Sequence, residues 1–227
     1  MTLPRRMNAI VGHQLSRWEA SGRPVQVLPC IAIASLPGAG GEELGRILAE
    51  RLGYGLFDRE IVDEIARRRG VSDELLRGLD GRARNLIERY VADVLRTRGF
   101  DEADFVNEVA RMVATIGRRG LAVIVGRGSA FIVDPHVALR VGVVAPVAVR
   151  VERFAKQQGL DPARAVTVLH EEDERRTHYI RRYFHARIDD PLHYDLMVNT
   201  GAIELDAAAS LVVETLHVRF PHTRRGS

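Results

Sequence analysis

The chain has 227 residues, 46% hydrophobic and 28% charged, with a formal net charge of +3. That suits one sizeable globular domain; it gives no nucleic-acid signature, and no apolar run reaches the length of a membrane span. One cysteine, Cys30, excludes an intrachain disulfide, and Lys156 is the sole lysine among 33 basic side chains, so a cation serving a site is expected to be an arginine.

Residues 1–29 read as an N-terminal arm. Met7 to Ala20 has helical apolar spacing through Ile10, Val11, Leu15 and Trp18. Two expectations stand side by side: an arm packed on the body of the protein or on a second subunit, as in a homodimer, or a loosely ordered leader. The N-terminus lacks the apolar core of a secretory signal, so a cytoplasmic location is expected.

Residues 30–220 read as the main domain. Ile31–Ala34 is an apolar run expected to form a buried parallel strand. It stops at Ser35-Leu-Pro-Gly38-Ala39-Gly40-Gly41, and an amphipathic helix over Glu42–Leu52 follows directly, ended by Gly53. Strand, glycine-rich turn and helix start together form a phosphate cradle. Glycines free backbone N–H groups to point inward, and the helix N-terminus adds partial positive charge. The usual pattern ends in Gly-Lys-Ser/Thr. Here Gly41 stands at the lysine position, and Glu42 and Glu43 follow where the hydroxyl belongs.

Leu56-Phe57 is a short second strand leading into Asp58-Arg59-Glu60 and a helix with Ile61, Val62 and Ile65 on its apolar face. A helical insert spans about 72–119, with amphipathic helices over 83–98 and 102–118. Strands follow over Leu121–Val125, ending at Gly126-Arg127-Gly128, and over Val137–Ala145. Pro146 opens a helix carrying Arg150 and Arg153. Asp161-Pro162 caps a long polar helix to about 185, within a segment 161–190 read as a lid. Tyr194–Val198 is the last strand, 203–219 a closing helix and 221–227 a tail.

Strands alternating with helices imply a doubly wound parallel sheet of about five strands, covered on both faces. Ligands in such sheets sit at the carboxyl ends of the strands. Three motifs fall there: Gly38–Gly41, Asp58-Arg59 and Gly126-Arg127. Arg127, between two glycines, is a candidate for an acceptor phosphate. The polar helix holds Asp173, Arg175, Arg176, Arg181 and Arg182, with Arg175, Tyr179 and Arg182 on one face and Asp173 beside Arg176. An arginine-dense helix of this kind suits a lid that closes over phosphates. His170, Glu174 and His178 have metal-permitting spacing but lack a third ligand, so no metal site is assigned.

The chain from Ile31 to about Leu216 resembles the cytidylate kinase-like proteins, relatives of P-loop nucleoside monophosphate kinases. The matching stretches are Gly38–Gly41, Arg46–Tyr54, Phe57-Asp58-Arg59-Glu60-Ile61, Gly126-Arg127-Gly128, and Asp173-x-x-Arg176 with Tyr183-Phe184. Asp190-Pro191, Tyr194-Asp195-Leu196 and Asn199-Thr200 complete them. The resemblance implies a P-loop kinase fold and transfer of the ATP γ-phosphoryl group, with Mg2+, to CMP, dCMP or a related acceptor. It assigns ATP to Ser35, Gly38, Ala39, Gly40, Gly41, Glu42 and Glu43. It assigns the acceptor to Asp58, Arg59 and Arg127. Catalysis falls to Arg127, Arg176 and Asp173, with Arg175, Arg176, Arg181 and Arg182 as lid residues. Its partners are nucleotides, with neither nucleic acid nor membrane. The loop departs from the family pattern: the flanking arginines that accompany loss of the lysine are replaced by Leu36 and Glu42. Two readings result: an active kinase using Arg46 or lid arginines in place of the lysine, or a pseudokinase, a nucleotide-binding or interaction module that kept the fold and acceptor pocket but lost phosphoryl transfer.

Overall fold

The computed structural model describes residues 29–67, 91 and 103–223. The predicted arm helix, the first helix of the insert and the end of the tail lie outside them.

Five strands form one fully parallel sheet: β1 Cys30–Ser35, β2 Gly55–Phe57, β3 Ala122–Val125, β4 Ala138–Val144 and β5 Leu196–Asn199. Their order across the sheet is β2-β3-β1-β4-β5. β1 lies at the centre, with Ile31 opposite both Val123 of β3 and Leu139 of β4. A central parallel strand is covered on both faces, and this explains its unbroken apolar run.

Because side chains alternate along a strand, β1 serves two cores. Ile31 and Ile33 point to one face and pack with Leu44 and Leu48 of α1 (Gly41–Leu52) and Val212 and Leu216 of the closing helix Leu205–Arg219. Cys30 and Ala32 point to the other, with Ile61 and Val62 of α2 (Arg59–Arg67) and Met112, Val113 and Ile116 of α3 (Ala103–Arg119). Each fully buried aliphatic side chain contributes about 1.5–3 kcal/mol. α3 is the second helix expected in the insert. Its stripe through Val109, Met112, Val113 and Ile116 is buried.

After β3 the chain makes a single turn, α4 (Ser129–Ile132), before β4. Two helices then follow consecutively, α5 (Val147–Gln158) and α6 (Pro162–Phe184), and the closing helix is α7. Asp161 caps α6, its carboxylate accepting the Arg164 N–H at 3.1 Å, and Pro162 occupies the first turn. The last strand starts two residues later than the sequence suggests. A 3-10 turn at Pro191–His193 intervenes, and the Tyr194 hydroxyl donates to the Ile188 carbonyl at 2.7 Å.

Candidate functional site

The carboxyl ends of β1 and β3, the start of α2, and the facing side of α6 enclose a cavity of about 560 Å³. The loop after β1 forms its floor. The Leu36 N–H donates to the Val143 carbonyl and the Ala39 N–H to the Leu36 carbonyl, so the loop is tied to β4 and curled on itself. The Thr200 hydroxyl, just past β5, donates to the Ala39 carbonyl at 2.7 Å. Gly38 and Gly40 have φ of 72° and 83°, in the left-handed region open to glycine. A side chain at Gly38 would also meet the Arg150 carbonyl oxygen, 2.4 Å from a Cβ there.

Among the described residues, the backbone N–H groups of Gly38, Gly40, Gly41, Glu42 and Glu43 have no acceptor within the protein. A cluster of such donors at a helix start is the chemistry a phosphate needs. Gly41 is the first residue of α1, and Glu42 and Glu43 occupy its first turn. These acids favour the helix dipole, yet Glu42 and Glu43 also line the cavity. Arg46 is drawn away from it: it pairs with Glu43 along the helix and does not line the cavity.

The second motif divides. Arg59 lines the cavity. Asp58 does not; its carboxylate accepts the Ile61 N–H at 3.0 Å and caps α2. The third motif forms an unusual turn. Gly126, Arg127 and Gly128 have φ of 79°, 53° and 71° in succession. The Gly126 N–H donates to the Ile33 carbonyl at 2.9 Å, holding the turn against β1. Arg127 lines the cavity and forms an ion pair with Asp63 of α2. Asp63 Oδ1 and Arg127 Nε are buried and unpartnered among the described residues. The ring of Phe184 fills the space beside Gly128, its edge 2.5 Å from where a Cβ would stand.

Helix α6 forms the wall opposite the loop. Glu172, Arg175, Arg176, Tyr179 and Ile180 line the cavity. Arg176 donates to the carbonyl of Ser35. Burial lowers the Arg176 pKa, the charge of Arg59 adds to that, and Glu172, Glu42 and Asp173 act against it. Tyr179 is pushed up to about 12, mainly by burial; Arg127 pulls it down, and Tyr183 and Asp63 raise it. Arg175 pairs with Glu172 at 2.8 Å. Arg181 and Arg182 are exposed and lie outside the cavity.

Asp173 does not line the cavity, and its hydrogen-bond partner is Arg150 rather than Arg176. Both its oxygens accept from Arg150 of α5, at 2.8 and 2.9 Å. Arg150 is only 4% exposed and also donates to the Pro37 carbonyl at 3.3 Å. One buried guanidinium thus ties the loop after β1, α5 and α6 together. Arg153 is committed too, with both terminal nitrogens on Thr200.

Sequence reasoning passed over Asp63 and treated Arg150 and Thr200 only as parts of longer stretches. The available signals were charges inside apolar stripes: Asp63 directly after Ile61-Val62, and Arg150 between Val149 and Val151. His170, Glu174 and His178 are exposed, and no group of three metal-ligating side chains occurs among the described residues. No helix there is long and apolar enough to cross a membrane.

A parallel α/β sheet with a glycine-rich phosphate-type loop after its central strand defines a P-loop nucleoside monophosphate kinase-like protein. Residues 30–202 match the model of the cytidylate kinase-like family, and the chain belongs to that family. It is 25% identical to a cytidylate kinase of Archaeoglobus fulgidus over 192 residues, spanning 83% of this chain and 95% of that protein. A cytidylate kinase of Methanopyrus kandleri is 26% identical over 196 residues, covering 80% and 90% respectively. Among solved structures, an uncharacterized protein from Eubacterium ventriosum superposes with a TM-score of 0.70 at 19% identity, over 85% of this chain and 99% of that one.

Proposed function

We propose that the protein transfers the γ-phosphoryl group of ATP to a nucleoside monophosphate, with CMP or dCMP the first acceptors to test. The observation that carries this reading is the convergence of an unpaired N–H cradle, Arg59, Arg127 and Arg176 on one cavity. Phosphoryl transfer asks for positioning and charge neutralisation more than for covalent chemistry. Ser35–Glu43 would hold the donor's phosphates by backbone N–H groups. Arg127 would hold the acceptor phosphate, with Arg59 beside it. Partial burial of Arg176 and Tyr179 supports a reaction volume with restricted water.

The donor set fits ATP through its backbone donors and arginines. Magnesium would be carried mainly by the donor's own phosphates, with Glu42 and Glu43 the carboxylates at the loop. When bound, it supplies the charge neutralisation that those two acids otherwise oppose. A like-charge pair at 4 Å costs about 4 kcal/mol at intermediate dielectric.

The family membership and the cytidylate kinases among the relatives support activity over a lapsed enzyme. ADP release in a coupled assay, run across the nucleoside monophosphates with magnesium, tests the reading. Turnover with CMP or dCMP above the other acceptors is expected. Nucleotide binding without turnover of any acceptor refutes it. In the same assay, Arg127→Ala is expected to raise the acceptor KM at least about tenfold, the usual loss for a charge-assisted contact.

A further inference from the structure

The lysine missing from the phosphate loop is missing for a steric reason. A Cβ at Gly41 would lie 2.3 Å from the Ser35 Cβ and 2.5 Å from its Oγ. A side chain at position 41 would force Ser35 or the loop to shift. The Ser35 hydroxyl is held there by donating to the Leu36 carbonyl at 3.0 Å. In the pattern that carries a lysine at this point, the residue six positions earlier is glycine. Here the glycine and the side chain have exchanged places: Ser35 has one and Gly41 has none.

A cation nevertheless comes to the loop. Arg176, from the lid helix, donates to the carbonyl of Ser35 itself and lines the cavity above the loop. Four other arginines around the loop are engaged elsewhere, while Arg59, at the start of α2, lines the same cavity. Arg46 pairs with Glu43, Arg150 with Asp173, Arg153 with Thr200 and Arg175 with Glu172. Arg176 spends one of its five N–H donors on a neutral carbonyl, and the carboxylates of Glu42 and Glu172 line the same cavity. A phosphate is a better acceptor than a carbonyl, and Arg meets it through two parallel bonds.

We infer that Arg176 stands in for the loop lysine, bringing the donor-phosphate cation from the lid helix across the cavity and resting, for the identity of the donor, on the phosphotransfer reading above. In a lysine-bearing loop the charge is built into the floor. In this protein it is held by the opposite wall, so the floor's affinity for polyphosphate depends on α6 lying over it.

Calorimetric titration with inorganic tripolyphosphate and, separately, with ATP and magnesium tests this on the full chain. The variants are Arg176→Met, Arg176→Lys, Arg46→Met and the triple change Ser35→Gly, Gly41→Lys, Arg176→Met, each checked for a wild-type circular dichroism spectrum. Arg176→Met is expected to weaken both ligands about tenfold to a hundredfold. Arg176→Lys should fall between it and wild type, because charge remains and the bidentate fork is lost. Arg46→Met should stay within about twofold of wild type, as for an exposed ion pair. The folded triple variant should recover most of the lost affinity. Wild-type affinity in Arg176→Met, or a loss in Arg46→Met equal to that expected for Arg176→Met, overturns the inference. So does a folded triple variant that stays weak, or a wild-type protein that binds no tripolyphosphate. Turnover separates the two levels. Tripolyphosphate binding that needs Arg176, with no phosphorylation of any monophosphate, refutes the kinase reading and leaves the inference standing. Full turnover in Arg176→Met does the reverse.

Discussion

Replacing Asp173 by alanine should unlock the joint between the loop after β1 and α6. Arg150 is 4% exposed and gives Asp173 two hydrogen bonds, at 2.8 and 2.9 Å. Its Nε is already buried without a partner among the described residues, so little solvent reaches the guanidinium to compensate. Removing one partner of a buried ion pair costs about 3–5 kcal/mol. The Asp173 side chain is itself 22% exposed, which argues for the lower end, about 3 kcal/mol. For a chain of this length that is a fall in melting temperature of roughly 6–12 °C. Urea and thermal unfolding of Asp173→Ala measure it. Because the same guanidinium holds the Pro37 carbonyl, donor affinity should drop along with stability. The double variant Arg150→Met, Asp173→Leu removes both charges and should regain most of the stability. An Asp173→Ala protein within about 0.5 kcal/mol of wild type, or a double variant whose loss is the sum of the singles, would refute the reasoning.

Gly128→Ala sets a methyl against the Phe184 ring, 2.5 Å away, at a φ of 71°. It should cost about 1–3 kcal/mol in urea unfolding and raise the acceptor KM by displacing Arg127. Asp195 gives a pH signature. Burial pushes its carboxyl up, but hydrogen bonds from the Arg140 side chain and backbone, with the charges of Arg140 and Arg219, outweigh this and hold it below the usual carboxylate range. A depressed folded pKa adds stability above the unfolded value, about 3.9, and that stability is lost as the pH falls through the folded value. Urea midpoints should therefore fall below about pH 4, and Asp195→Asn should lower stability at neutral pH while flattening that slope. Cys30 is wholly buried, and burial pushes its thiol up to about 12. The folded protein should not react with a disulfide reagent at pH 8, and one thiol should appear on unfolding.

The order of strands and helices was legible because apolar runs and glycine or proline breaks are local features. Gly53, for instance, ends α1 with a φ of 67°, its N–H bonded to the Ala49 and Glu50 carbonyls. The convergence of Gly38–Gly41, Arg59 and Arg127 followed from the βα order alone, since all three follow strand ends. Pairings across the sheet were not legible. Spacing put Asp173 beside Arg176 on one helix, but Arg150 reaches Asp173 from 23 residues away and takes both its oxygens. Asp58 reads as a ligand contact in the motif and serves locally as a helix cap. Asp63 drew no reading at all, because its partner, Arg127, lies 64 residues distant.

The exchange between Ser35 and Gly41 also constrains how such a loop can change over generations. With serine at 35, lysine at 41 is sterically opposed, because its Cβ would lie 2.3 Å from that of Ser35. With glycine at 35, either residue fits at 41. The two forms of the loop are therefore joined most easily through a double-glycine intermediate, and a reversion has a favoured order: position 35 changes before position 41. A lineage in this state can lose Arg176 safely only after both steps are complete.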